Sequence, residues 1–142
     1  MEKINFVNGQ SPYISATNLN NLQDNVENAI NGIIESGSNE NGKYIKFSDG
    51  TLICYGKASM SFSINIAYGS VFRSDMQSIS LPYSFIDTNY VVTLQGLAPV
   101  HVCYAVYDDK SVNLFKFYPV GFVSQASVSS RNIEYMCIGK WK

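Results

Sequence analysis

The pattern of apolar residues predicts an all-β fold, a β-sandwich or barrel, preceded by one N-terminal helix. Three observations carry that prediction. Short alternating or β-branched apolar runs recur from Tyr44 to Trp141, separated by turn residues. Asp49-Gly50 sits between two of the runs, a strong hairpin signal because both central residues of a type I′ turn take positive φ. One helical stripe precedes the runs, and no helical period interrupts them afterwards.

Residues 1–14 read as an extended arm, with Ile4 and Phe6 alternating with polar residues and Asn8-Gly9 and Ser11-Pro12 as punctuation. Alone the arm has little to bury, so it is expected to dock on something. Ser15 has the chemistry of a helix N-cap, and Ile14 and Leu19 stand at the N′ and N4 positions of a hydrophobic staple. Residues 15–36 form the expected helix. Its apolar positions Leu19, Leu22, Val26, Ala29 and Ile33 step by three and four, which is the a/d seam of a coiled coil; Ile30 and Ile34 widen it. Asparagines and Gly32 weaken its intrinsic propensity, so the helix needs the seam buried. The narrow seam favours self-association into a short parallel coiled coil over packing on the β-domain. Residues 37–42 read as a flexible joint, with Gly37 suited to end the helix.

The β-domain spans 43–142. A two-residue loop at Asp49-Gly50 would set Phe47 opposite Leu52 and Ile45 opposite Cys54. One hairpin face then carries Ile45, Phe47, Leu52 and Cys54, and the other carries Tyr44, Lys46, Ile53 and Tyr55. Both faces are apolar enough to require cover, one from the core and part of the other from a partner chain or ligand. Ser59 to Ile66 is an alternating strand with Met60, Phe62, Ile64 and Ile66 on one side. Further strands are expected at Gln77 to Leu81, Tyr90 to Gln95, His101 to Tyr107, Val112 to Phe117 and Asn132 to Trp141. Pro119 to Arg131 reads as an irregular stretch.

The chain has 142 residues and a net charge of −1, which suits one domain plus an appendage and leaves no basic footprint for nucleic acid. No stretch is long and apolar enough to span a bilayer as a helix, so no membrane insertion is expected. The N-terminus lacks a charged-then-apolar signal pattern. Cys54, Cys103 and Cys137 are odd in number and form no CxxC, so they read as reduced, buried cysteines; with one histidine they do not make a zinc site. Neither a metal nor a cofactor is expected.

The hairpin sequence YIKFSDGTLICYGK resembles the opening motif of the C-terminal domain of many bacteriophage tail-fibre proteins. The closing EYMCIGKWK and the central FIDTNYVVTLQG are similar to other segments of the same domains, and together the match covers the last two-thirds of the chain. SPYISATNLNNLQDNVENAI resembles N-terminal segments of phage tail and baseplate proteins. Many such tip domains resemble H-type lectins, trimeric β-sandwiches that bind sugars. The resemblance implies a homotrimeric tip recognising bacterial surface carbohydrate, assembled in the host cytoplasm into a virion tail. It also implies that the N-terminal arm docks on other tail or baseplate proteins.

An enzyme is not expected. Of the acidic residues in the β-part only Glu134 lies inside an expected strand, and no pair of carboxylates stands out as a glycosidase requires. Sugar sites combine an aromatic plate with fixed polar groups, which makes Tyr68, Arg73, Tyr83, Tyr118, Phe122 and Arg131 the candidate ligand residues. His101 joins them as a second reading, its first being a strand-end packing residue. Trp141 matches the family's closing motif and is expected to pack structurally. Two further classes stay open: a purely structural virion component and a polysaccharide-degrading enzyme.

Overall fold

The computed structural model describes residues 16–30, 32–97 and 103–142. Among the described residues one helix, α1 (Ala16–Ile30), precedes ten strands: β1 (Ile33–Asn39), β2 (Gly42–Phe47), β3 (Thr51–Ile64), β4 (Ile66–Tyr68), β5 (Val71–Arg73), β6 (Gln77–Ser80), β7 (Val91–Leu97), β8 (Cys103–Lys110), β9 (Leu114–Gly121) and β10 (Gln125–Lys140). All pairings among these strands are antiparallel. The first sheet runs β1-β2-β3-β10-β7; the second runs β4-β5-β9-β6, with β8 on the other side of β9. The sequence therefore yields the expected all-β sandwich with a helix before it.

The core lies between the sheets. Alternation along β3 buries Leu52, Cys54, Phe62 and Ile64, and alternation along β10 buries Ile133, Tyr135 and Cys137. The second sheet contributes Ile79, Phe115 and Phe117, and the segment before β7 adds Phe85 and Tyr90. Each fully buried phenylalanine contributes on the order of 2–3 kcal/mol. Cys54 and Cys137 are register partners and free thiols; burial pushes them up to about 11 and about 12. They behave as small hydrophobes, as expected. Trp141 packs against the core and its Nε1 donates to the Phe47 carbonyl at 3.0 Å.

Four expectations require correction. The helix ends at Ile30, not at residue 36, so Ile33 and Ile34 leave the seam and start β1. The flexible joint is instead strand: 37–39 pair with β2, and Gly37 lies opposite Tyr44, whose ring would be 2.7 Å from any added Cβ. Pro119 opens no irregular stretch but sits inside β9. On one side of that strand it falls between the residues paired with β6 and those paired with β5, where a missing N–H breaks no pairing to either. Residues from Gln125 onward belong to the 16-residue β10. The arm, the N-cap Ser15 and His101 lie outside the described residues, as does the side chain of Ala29.

The fourth correction concerns the hairpin. Its register pairs Ile45 with Ile53 and Lys46 with Leu52, one residue away from expectation. The loop holds three residues, 48–50. Gly50 N donates to Phe47 O at 3.1 Å, and Gly50 takes φ +88°. That is a three-residue loop ending on a positive-φ glycine rather than the two-residue loop of a type I′ turn. Asp49 accepts from Thr51 N at 2.8 Å and from its hydroxyl at 3.0 Å, and those bonds hold its carboxyl below the usual range. A one-residue slip reverses every side chain of one strand. Tyr44 and Lys46 thus join Leu52 and Cys54 on the core face, while Ile45 and Phe47 turn to the outer face.

Lys46 is only 5% exposed, yet its ammonium is provided for. It donates to Glu35 Oε2 at 2.7 Å and lies 3.8 Å from the centroid of the Tyr83 ring. Burial pulls its pKa down, but the bonds to Glu35 and Tyr83 outweigh this and leave it raised. Tyr44 donates to the other Glu35 oxygen at 2.7 Å. Glu35 is thereby the clasp that holds β1, an otherwise exposed edge strand, on the sheet. Its carboxyl is held below the usual range, first by Lys46 and then by Tyr44. The folded value lies below the unfolded one. The clasp therefore contributes fully above the ordinary carboxylate pKa, and its contribution is lost as pH falls through the lowered value. Glu35→Gln should melt below the wild type at neutral pH, and the gap should close as the pH drops beneath the carboxylate range. A gap independent of pH would argue against the clasp.

Candidate functional site

Two surfaces offer themselves, one on the outer face of each sheet. The second sheet gathers four of the candidate residues. Tyr68 pairs with Val71 across the β4–β5 hairpin, and Arg73 pairs with Val120 of β9. Tyr118, two residues before Val120, shares that face. Arg73 lies 4.7 Å from the Tyr118 ring centroid and donates to Ser74 O at 3.0 Å. Tyr68 is 61% exposed, and Phe122, just past the end of β9, is 59% exposed. Together they form an aromatic platform with one guanidinium.

The other candidates do not belong to it. Tyr83 packs between the sheets against Tyr44, at 4.9 Å between centroids, and takes Lys46 over its ring. Arg131 sits on β10 opposite Met60, where its Nη2 donates to Gln125 Oε1 at 2.7 Å. His101 lies outside the described residues. Phe72 and Phe85, also aromatic, pack on or in the core.

The outer face of the first sheet carries features that sequence reasoning missed. Register pairing sorts this face into rows. One row is wholly apolar, Ile45–Ile53–Ile138–Val91, with Ile138 44% and Val91 66% exposed. The next is Lys43–Tyr55–Met136–Thr93, and the one beyond is Lys57–Glu134–Gln95. Over these last two rows lies an open groove of about 820 Å³, walled by the β1–β2 corner at Ser38, Asn39 and Glu40. Two carboxylates, Glu40 and Glu134, thus line one groove although they stand far apart in sequence. The signal was present in β10, where Glu134, Met136 and Ile138 alternate with buried Ile133, Tyr135 and Cys137. The pairing of β10 with β3 and β7 was needed to see what stands beside them.

The helix supplies a third exposed feature. Leu19, Leu22 and Val26 are 53%, 60% and 47% exposed, and among the described residues no strand packs along α1. The seam is therefore not covered by the chain's own sandwich.

No protein-family model and no curated protein matches this sequence. Among solved structures the chain is similar to a C-terminal fragment of the R1 pyocin fibre of P. aeruginosa. The TM-score is 0.54 at 13% identity, over 88% of this chain and 31% of that one. At that identity the likeness is one of fold, and this chain spans about a third of the fragment's length.

Proposed function

We infer that the chain is the tip of a phage or prophage tail fibre, a homotrimer that holds a virion tail to bacterial surface carbohydrate. The observation that carries this reading is the uncovered seam of Leu19, Leu22 and Val26, leading directly into a sandwich whose fold is shared with part of a pyocin fibre. A marginal helix with a narrow apolar stripe is stable only when that stripe is buried, and identical copies bury it symmetrically. The apolar row Ile45–Ile53–Ile138–Val91 would meet a neighbouring sandwich about the same axis. The N-terminal arm would dock on other tail or baseplate proteins, and sugar contacts would be weak singly and strengthened by multiple copies.

The test is binding of the intact protein to immobilised envelope polysaccharides from a panel of bacteria. Saturable binding competed by free sugar supports the adhesive reading. An intact trimer with no binding would favour the alternative, a structural fibre component whose sandwich only caps or trimerises. That alternative draws support from the apolar row, which suits protein contact rather than sugar. Steady release of reducing ends would point instead to a degrading enzyme.

A further inference from the structure

We propose that the groove over β2, β3, β10 and β7 is the saccharide seat, and that it takes uncharged, polyhydroxylated sugars. The inference rests on the adhesive reading and names its site. A sugar hydroxyl donates and accepts at once, and the ring's C–H face is apolar. A matching site therefore needs donors and acceptors at close spacing around an apolar floor. The two rows supply that. Tyr55, half-buried, and Met136, 47% exposed, form the floor. Thr93 and Gln95 stand two residues apart on β7, facing Met136 and Glu134 across the ladder. Lys57 and Glu134 face each other on β3 and β10.

These polar groups are not used internally. Among the described residues, no side-chain hydrogen bond or ion pair engages Lys43, Lys57, Thr93, Gln95 or Glu134. The charges also balance: Lys43 and Lys57 are countered by Glu40 and Glu134. An acidic sugar would meet the carboxylates of Glu40 and Glu134 that line the groove, whereas a neutral one can draw charge-assisted bonds from both signs. The platform on the second sheet is less suited. Its described members offer a guanidinium and tyrosine hydroxyls, and Arg73 already donates to Ser74 O and stacks on Tyr118.

The experiment uses the full chain on an array of neutral hexose and N-acetylhexosamine oligosaccharides, with carboxylated and phosphorylated counterparts. Gln95→Ala and Glu134→Ala should each weaken binding to neutral sugars roughly tenfold or more, the expected loss for a charge-assisted or well-placed hydrogen bond. Tyr68→Ala and Arg73→Ala should stay within about twofold, below the cost of one lost bond. Titration of wild-type protein with the best array sugar, followed by amide chemical shifts, should move Thr93, Gln95 and Glu134 first. That readout does not depend on any variant folding. Unchanged binding in the groove variants, loss in the platform variants, first shifts at the platform, or selection of acidic sugars alone would each overturn the proposal while leaving the adhesive reading intact. Binding of no glycan at all would overturn both.

Discussion

Gly139→Ala is expected to lower folding stability by about 3 kcal/mol, the upper end of ordinary overpacking costs. Gly139 lies in β10 opposite Leu52, on the core side of the first sheet. A Cβ there would stand 2.5 Å from Tyr90 Cβ and 2.9 Å and 3.0 Å from two Phe85 ring carbons. Neither neighbour has room to retreat. The Phe85 and Tyr90 rings are stacked at 4.3 Å, nearly parallel. The Tyr90 hydroxyl lies 2.7 Å from Ser111 O and 2.9 Å from Leu114 O, and Phe85 N donates to Val112 O at 2.8 Å. Urea unfolding of the variant gives the number. Gly69→Ala is the control: no atom lies within 4 Å of a Cβ there, and only its φ of +61° is unfavourable, so about 1 kcal/mol is expected. Equal costs at the two positions would mean that close approach at Gly139 is not what the core depends on.

The second large effect is on assembly. Leu22→Asn with Val26→Asn should turn an associated protein into single chains while the sandwich stays folded. Each buried leucine or valine contributes about 1.5–3 kcal/mol, and the pair is removed from every copy at once. Because no described strand packs along α1, the sandwich loses no packing of its own when the seam is changed. Sedimentation gives the mass and the far-ultraviolet spectrum reports the sheets. Loss of the β-signal together with association would show that the sandwich cannot stand without the stalk. Unchanged association would assign the assembly to the sandwiches alone.

The strands and the helical stripe were legible because both rest on periodicity. Met60, Phe62 and Ile64 alternate with serines, and that alone puts them on one face. Leu19, Leu22 and Val26 step by three and four, and that alone puts them on one stripe. Register was less legible. Asp-Gly marks a turn, but only the fold shows that the loop has three residues. That single slip moved Lys46 inward. A lysine set on the face opposite Leu52 and Cys54 by the expected register joined them instead, buried as the partner of Glu35 and Tyr83.

Strand β1 was hidden for a different reason. Its sequence IIESGSN has little β-propensity, and Ile33 continues the helical spacing by chance. It is a strand because β2 offers an open edge and Glu35 reaches Lys46 and Tyr44 from it. The groove followed the register: Lys57, Glu134 and Gln95 become neighbours only once β3, β10 and β7 are set side by side. Of the ligand residues chosen from sequence, Tyr68, Arg73, Tyr118 and Phe122 converge. Tyr83 does not, since an aromatic in a loop can turn inward as readily as outward.

Self-association of identical chains underlies the account, and mass in solution tests it most directly. Sedimentation equilibrium of the full chain should return three times the chain mass. A single-chain mass at micromolar concentration, with seam and apolar row both exposed to water, would contradict it.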